Sequence, residues 1–326
     1  MLCFYRNTKQ GVRLLRVFSP DTLAELPEKI GQEPVTELAP YLFSDQFEPE
    51  RGEETGSLYD TLTGRCEETA WEELRGRQDA LCGERLQGAV LPKCLAKIGR
   101  YAFYNCFGLK ELSFGAALKD IGAGAFTGCH HVERLFVETG ADGTSCLREI
   151  LAELPEKIRV TYRKGPETGV FWFPEFFEEG VENTPARILE NHVHGSGVRY
   201  RNCFSSRALN IREYDSLFAY AKAWESPETV ADLVLDRLQY PLGLSEEAKK
   251  RYQAYLQEMS EEICGYLIRQ KDGDRLLFAL GQSACGAEVL DRLLDIASKT
   301  GFTEGVACLM EERHRRFRPK KRSFSL

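Results

Sequence analysis

A 23-residue echo constrains this chain more than any other feature. Between residues 91 and 137, Leu95, Ile98, Ala102, Phe103, Cys106, Leu109 and Leu112 recur as Leu118, Ile121, Ala125, Phe126, Cys129, Val132 and Leu135. Phe114 is answered by Val137 and Gly99 by Gly122. A fixed period in the twenties marks a solenoid, in which each repeat is one coil stacked on the next. A single unit of this length cannot bury its own apolar face, so further coils must flank these two. Within a unit, Ala102, Phe103 and Cys106 sit at i, i+1 and i+4, the spacing of a short helical piece, and Leu109, Leu112 and Phe114 follow as a short strand. Leu86, Ala89 and Leu91 stand one period earlier, where the strand register resumes after an interruption.

The phrases Ile98-Gly-Arg-Tyr-Ala-Phe-Tyr-Asn-Cys106 and Ile121-Gly-Ala-Gly-Ala-Phe-Thr-Gly-Cys129 resemble the BspA-type leucine-rich repeat, whose units read roughly I-G-x-x-A-F-x-x-C-x-x-L-x-x-I. Residues 26–43 resemble the same unit more loosely, with Ile30, Val35, Leu38, Tyr41 and Phe43 in place, Leu42 where the alanine stands and no cysteine. Residues 146–162 resemble a degenerate last coil, a helix around Leu147, Ile150 and Leu151 and a strand through Ile158, Val160 and Tyr162. The resemblance implies a short curved solenoid used for protein contact, and it implies no reaction.

The predicted fold is therefore an α/β solenoid of small strands and helices followed by an all-α helical array. Residues 1–165 are expected to form the solenoid, with an insertion near 47–79; residues 166–212 connecting strands and a hairpin; and residues 213–326 a helical domain with a basic tail. A net charge of −7 argues against a general nucleic-acid binder, which is normally basic. The N-terminus lacks a charged start before an apolar core, and the longest apolar runs are too short to span a bilayer, so a cytoplasmic location off the membrane is expected. No two of the eleven cysteines are spaced C-x-x-C, which leaves zinc ribbons and redox motifs unsupported. Equivalent positions on adjacent coils lie about 5 Å apart. Cys106 and Cys129 are then read as a column of small buried thiols, with a disulfide or a metal as the alternatives.

Along the chain, residues 14–18 are predicted as an edge strand. Residues 47–79 are read as a solvated insertion, a mobile loop followed by a short polar helix, with partner contact as the alternative. Residues 163–169 have the Gly and Pro content of a linker. The apolar strand 170–174, followed by Phe176 and Phe177, is expected to glue two domains together, with a ligand cage as the alternative. Residues 187–204 read as a hairpin reversing at Gly195-Ser196-Gly197. From Tyr214 the period becomes helical. Ser226-Pro227 and Ser245 are N-cap signals, and Leu256, Met259, Ile263 and Leu267 should share one face of a single helix. Leu276, Ala279 and Leu280 recur 30 residues later as Val306, Leu309 and Met310, which hints at helix-pair repeats of ankyrin or HEAT kind.

The chain lacks a phosphate-binding loop and an H-E-x-x-H motif. Gly122, Gly124 and Gly128 miss the dinucleotide spacing and are expected at tight coil corners. The one constellation with chemical interest is the predicted hairpin. There His192 and His194 share one strand face, and Arg199 and Arg201 another. With Arg187 and Ser196 they make a possible contact for an anion, a phosphate or an acidic partner; two imidazoles alone do not complete a metal site. Glu175, Glu178, Glu179 and Glu182 read as a solvated helix face, and His130 and His131 as solvated corner residues. Arg313, Arg315, Arg316, Arg318, Lys320, Lys321 and Arg322 form a basic tail, a possible acidic-surface or nucleic-acid contact. The expected function is a non-enzymatic interaction scaffold without cofactor. Its protein partner, not identified by the sequence, should lie across the solenoid's strand face or between the two halves. An anion-binding protein or enzyme built on the hairpin is the first alternative, and nucleic-acid association through the tail is the second.

Overall fold

The computed structural model describes residues 1–183 and 188–317, the side chains of 181–183 and 188–192 excepted. It comprises two compact units, Met1–Leu217 and Phe218–Leu326.

The first unit opens with an antiparallel hairpin, β1 (Leu2–Thr8) and β2 (Gly11–Phe18). The first coil follows as β3 (Leu23–Glu25), β4 (Lys29–Ile30) and β5 (Glu33–Leu38). Next come β6 (Thr55–Asp60), β7 (Cys66–Ala70) and the one-turn helix α1 (Trp71–Leu74). Two coils then contribute β8 (Gly88–Val90) with β9 (Lys97–Ile98), and β10 (Glu111–Phe114) with β11 (Asp120–Ile121). A further coil starts at β12 (Arg134–Glu138), returns through helix α2 (Leu147–Glu153) and delivers β13 (Ile158–Lys164).

The 23-residue echo becomes two parallel ladders. Strands β3, β8, β10, β12 and β13 pair in register, so that Ala24, Ala89, Leu112, Leu135 and Val160 stand in one buried row. Strands β5, β9 and β11 form the second ladder, aligning Leu38, Ile98 and Ile121. Phe103 stacks directly over Phe126, with centroids 5.0 Å apart and planes within 11°, and Phe43 stacks on the other side of Phe103 at 5.0 Å. The residues expected to be helical, 102–106 and 125–129, lie instead in runs of turns. Left-handed backbone at Tyr101 and Asn105, answered by Gly124 and Gly128, prevents the helix from propagating. The Phe103 N–H reaches the Ala125 carbonyl of the following coil at 2.8 Å, and the Phe43 N–H reaches that of Ala102 at 2.8 Å. The thiols bond the opposite way: Cys106 donates to the Phe43 carbonyl at 3.2 Å and Cys129 to that of Phe103 at 3.1 Å. These cysteines are buried and free.

The predicted edge strand lies inside a sheet. β2 is flanked by β1 and β5, and the sheet runs β11-β9-β5-β2-β1-β6-β7. The insertion is therefore not a loose loop with a polar helix. Residues 48–54 are mostly exposed, but β6 pairs with β1 and β7 with β6. Apolar burial explains this: Trp71 packs on Phe4 at 6.3 Å and Phe47 at 4.9 Å, in a cluster with Leu15, Phe18 and Leu74.

Beyond the coils, β14 (Glu167–Phe173) pairs antiparallel with β13, and one side chain occupies the backbone of Trp172 on its outer edge. The Tyr214 hydroxyl accepts from the Trp172 N–H at 2.9 Å and donates to the Trp172 carbonyl at 2.7 Å. The hairpin is formed one strand earlier than predicted, by β15 (Phe177–Asn183) and β16 (Ile188–His194). Gly195-Ser196-Gly197 does not reverse the chain; it leads into helix α3 (Gly197–Arg201), followed by β17 (Phe204–Ser205), β18 (Ala208–Leu209) and α4 (Ile211–Ser216). The aromatic strand packs within this unit: Phe171 and Phe173 meet Tyr214 at 5.1 and 5.9 Å, and Tyr200 meets Tyr214 at 4.8 Å.

The second unit is α-helical among the described residues: α5 (Phe218–Trp224), α6 (Pro227–Gln239), α7 (Glu246–Glu258), α8 (Ser260–Gln270), α9 (Gly273–Gln282), α10 (Ala287–Lys299) and α11 (Thr303–Arg316). Both predicted caps are in place, Ser226 accepting from the Thr229 N–H and Ser245 from the Ala248 N–H, each at 3.2 Å. The single helix expected across Met259 is two, because Met259 leaves helical geometry at φ −104°, ψ 23°. The last four helices pack as two pairs, α8 with α9 and α10 with α11, stacked through α8 on α10 and α9 on α11.

Candidate protein-contact surface

Strand alternation divides the first ladder into a buried and an outward set. Leu112, Leu135 and Val160 point inward, so Ser113, Phe136 and Thr161 point outward, and the parallel register aligns them. Val90 joins the same row through its pairing with Ser113. An uncharged stripe of Val90, Ser113, Phe136 and Thr161 thus crosses the strands. On β3 the row ends at Glu25, while Leu23 stands one row over, on Gly88, where a side chain would meet the Leu23 methyl at 2.7 Å. Leu23 and the four uncharged residues line a groove of about 320 Å³. Leu23 and Val90 remain 44% and 39% exposed, large values for apolar side chains in strands.

Charged residues flank the stripe. On one side Glu111 pairs with Arg134. On the other, Glu138 pairs with Arg163 at 3.2 Å and Lys93 at 3.3 Å. All are substantially exposed, and such pairs contribute only about 0–1 kcal/mol each. They can be exchanged for a partner's charges at small cost.

The predicted hairpin constellation is dispersed by the fold. Arg187 lies outside the described residues, as do Arg318, Lys320, Lys321 and Arg322. His192 is on β16, opposite Glu179 in the pairing register. His194 stacks on Phe177 at 4.5 Å, and its Nε2 lies 3.1 Å from a Glu179 carboxylate oxygen. Ser196 is buried and precedes α3, while Arg199 and Arg201 lie on that helix and not on a strand. Arg201 is interior. Its guanidinium donates to the carbonyls of Leu151, Leu154, Glu156, Pro174 and Gly197, which occupies the donors an anion would need. Glu178 and Glu179 stand on β15, so the carboxylate run is not a helix face. His130 and His131 are exposed at their corner, His130 facing Glu156 at 3.0 Å. Of the basic residues described, Arg313 pairs with Asp291 at 3.0 Å, and Arg315 and Arg316 both pair with Glu312. Their hydrogen bonds, Arg315 first, hold the Glu312 carboxyl below the usual carboxylate range. Among the described residues no three His, Cys, Asp or Glu side chains are placed to hold a metal ion, and no helix is long and apolar enough to cross a membrane.

Sequence reasoning missed a polar cluster inside the helical unit. Asp232 on α6 pairs with Arg275 on α9 at 2.8 Å and accepts from the Tyr266 hydroxyl of α8 at 3.2 Å. Burial, then the Asp232 charge, pushes the Tyr266 hydroxyl up to about 12. These residues fall on three separate helices, and no local spacing announces them. The outward position of Phe136, by contrast, was readable from its alternation with Leu135 and Val137.

The repeats can now be compared with known proteins. Residues 77–145 match the sequence model of the BspA type Leucine rich repeat region (6 copies). The coils over these residues carry the BspA-type leucine-rich-repeat pattern. Their signature isoleucine, phenylalanine and cysteine are the ladder, stacking and thiol positions described above. No curated protein matches the chain. Among solved structures, a leucine rich cell surface protein from Faecalibacterium prausnitzii A2-165 is 14% identical with a TM-score of 0.24, and the alignment covers 41% of this chain and 34% of that one. The T. pallidum Leucine Rich Repeat protein is 18% identical with a TM-score of 0.21, covering 41% of this chain and 68% of that one. This chain thus spans about a third of the first of these proteins.

Proposed function

We propose that the chain is a protein-binding scaffold that engages its partner through the outward face of the BspA-type ladder. The observation that carries this is the uncharged stripe from Val90 to Thr161, with Leu23 beside it and exposed ion pairs on both sides. A row without charge, framed by ion pairs, matches how protein contact surfaces are built, with a desolvated centre and a wet rim. Leucine-rich repeats generally serve contact with proteins or surfaces, and stacked repeats give them extended faces for it. In this reading the helical unit is a second repeat array of ankyrin or HEAT kind, and the protein works in the cytoplasm, without catalysis.

The test uses the full chain as bait and a double variant, V90D/F136D, on the outward stripe. Both positions face solvent, so circular dichroism should be unchanged while capture of the partner falls at least tenfold. Capture that is undiminished in the folded double variant would place the contact elsewhere and remove this reading.

A further inference from the structure

Resting on the reading of the ladder as the contact face, we infer that the partner docks there as an extended segment with opposite charges at its two ends. A basic residue lies over β3 and an acidic one over β13, with uncharged residues between them. The two ends of the stripe carry this. On β3 the register sets Glu25 beside Val90, so a carboxylate closes the row. Glu25 and Asp21 are both exposed, and among the described residues neither has an ion pair. At the other end Thr161 stands between Arg159 and Arg163, which share its outward side because Val160 and Tyr162 are buried.

Between these ends the nearest charges cancel, Glu111 against Arg134. At the β13 end they do not. Glu138 faces Arg163 at 3.2 Å and Lys93 at 3.3 Å, one carboxylate for two cations. A partner carboxylate that takes Arg163 leaves Glu138 with Lys93, and no charge is stranded. A segment of a single sign would meet like charge at one end, which is how complementary charges reject wrong partners and fix register. Neighbouring strands about 4.8 Å apart put β3 and β13 roughly 19 Å from each other, about six residues of extended chain.

The contact continues beyond β3. Leu23 also lines a second recess, of about 510 Å³, together with Leu62 from the turn between β6 and β7. Leu62 is 87% exposed, yet its turn is held in place. The Asp60 carboxylate accepts from the Leu62 N–H at 2.9 Å and from the Thr63 hydroxyl at 2.8 Å, and the Thr61 N–H donates to the Met1 carbonyl at 3.0 Å. A fixed turn that keeps an aliphatic side chain in water beside Leu23 is placed to receive an apolar residue of the partner next to its basic one.

The test pans random twelve-residue peptides displayed on phage against the full chain, then measures synthetic copies of the enriched sequences by fluorescence anisotropy. The expected pattern is an apolar residue, a basic residue and, about six positions away, an acidic one. E25K should weaken such a peptide about three- to fivefold, the size of an exposed ion pair, and replacing the peptide's basic residue by a glutamate should restore it. R163E should act likewise on the acidic position. L62D should weaken binding at least threefold and leave both charge preferences intact. All three positions are exposed, so circular dichroism should report an unchanged fold. No enrichment, enriched peptides without this charge pattern, or affinities indifferent to E25K and R163E would overturn the inference. The two failures separate: peptides that need Val90 and Phe136 but ignore residues 25 and 163 sink this inference alone, whereas peptides that bind V90D/F136D undiminished sink the contact reading with it.

Discussion

Gly122 and Gly124 stand two residues apart and are needed for different reasons. Gly124 has φ +66°, the left-handed region that an ordinary side chain enters at a cost. Gly122 has an ordinary φ, but a side chain there would fall against Arg100 and lie 2.6 Å from the Gly99 carbonyl carbon of the preceding coil. Gly99 repeats the arrangement, 2.6 Å from the Ala39 carbonyl carbon. The invariant glycine of the echo is thus a point of coil-on-coil approach, and the left-handed positions are set by the corner itself, since Tyr41 and Tyr101 adopt that conformation without being glycine. Gly122→Ala should cost about 3 kcal/mol, at the high end for overpacking. Asn105→Gly, at a left-handed position, should stay within about 1 kcal/mol. Urea unfolding of the two variants checks the contrast.

At the scale of elements, the solenoid needs an end, and residues 146–162, which resemble a degenerate last coil, supply it as α2 and β13. Phe43 and Phe103 each donate to the next coil, but after Phe126 no coil of the same kind follows. The Glu153 carboxylate at the end of α2 takes that place, accepting from the Phe126 N–H at 2.8 Å. Glu153→Ala should therefore destabilise the first unit by about 1.5–3 kcal/mol, the range for a hydrogen bond to a charged group. Amide exchange at Phe126 should accelerate while that at Phe103 does not. The coils, the stacked phenylalanines and the thiol column were legible because a period records contacts between equivalent positions. The β6–β7 addition and the true hairpin were not, because their pairings join unrelated stretches: Leu58 meets Phe4, and Phe177 meets His194. Alternation in 187–204 suited a hairpin, but it did not reveal that Arg201 would be drawn inward by five carbonyls. The groove needed both kinds of information, period for the register of the stripe and the folded chain for Leu23 over Gly88.

On the scale of the whole molecule, each unit carries its own interior. The first is built on the Phe43–Phe103–Phe126 stack and the Tyr214 aromatic cluster, the second on Leu233, Leu267, Leu280 and Leu293 with the Asp232–Arg275–Tyr266 network. A fragment spanning 218–326 should consequently fold by itself, giving a helical circular dichroism spectrum and one cooperative thermal transition; a non-cooperative melt would contradict this. The outer strand β14 has a further effect. The Tyr214 hydroxyl occupies both the donor and the acceptor of Trp172, the ladder ends at β14, and the repeat becomes a ruler of set length. Six strands spaced about 4.8 Å apart measure roughly 24 Å from end to end, enough for about seven residues of an extended chain laid crosswise.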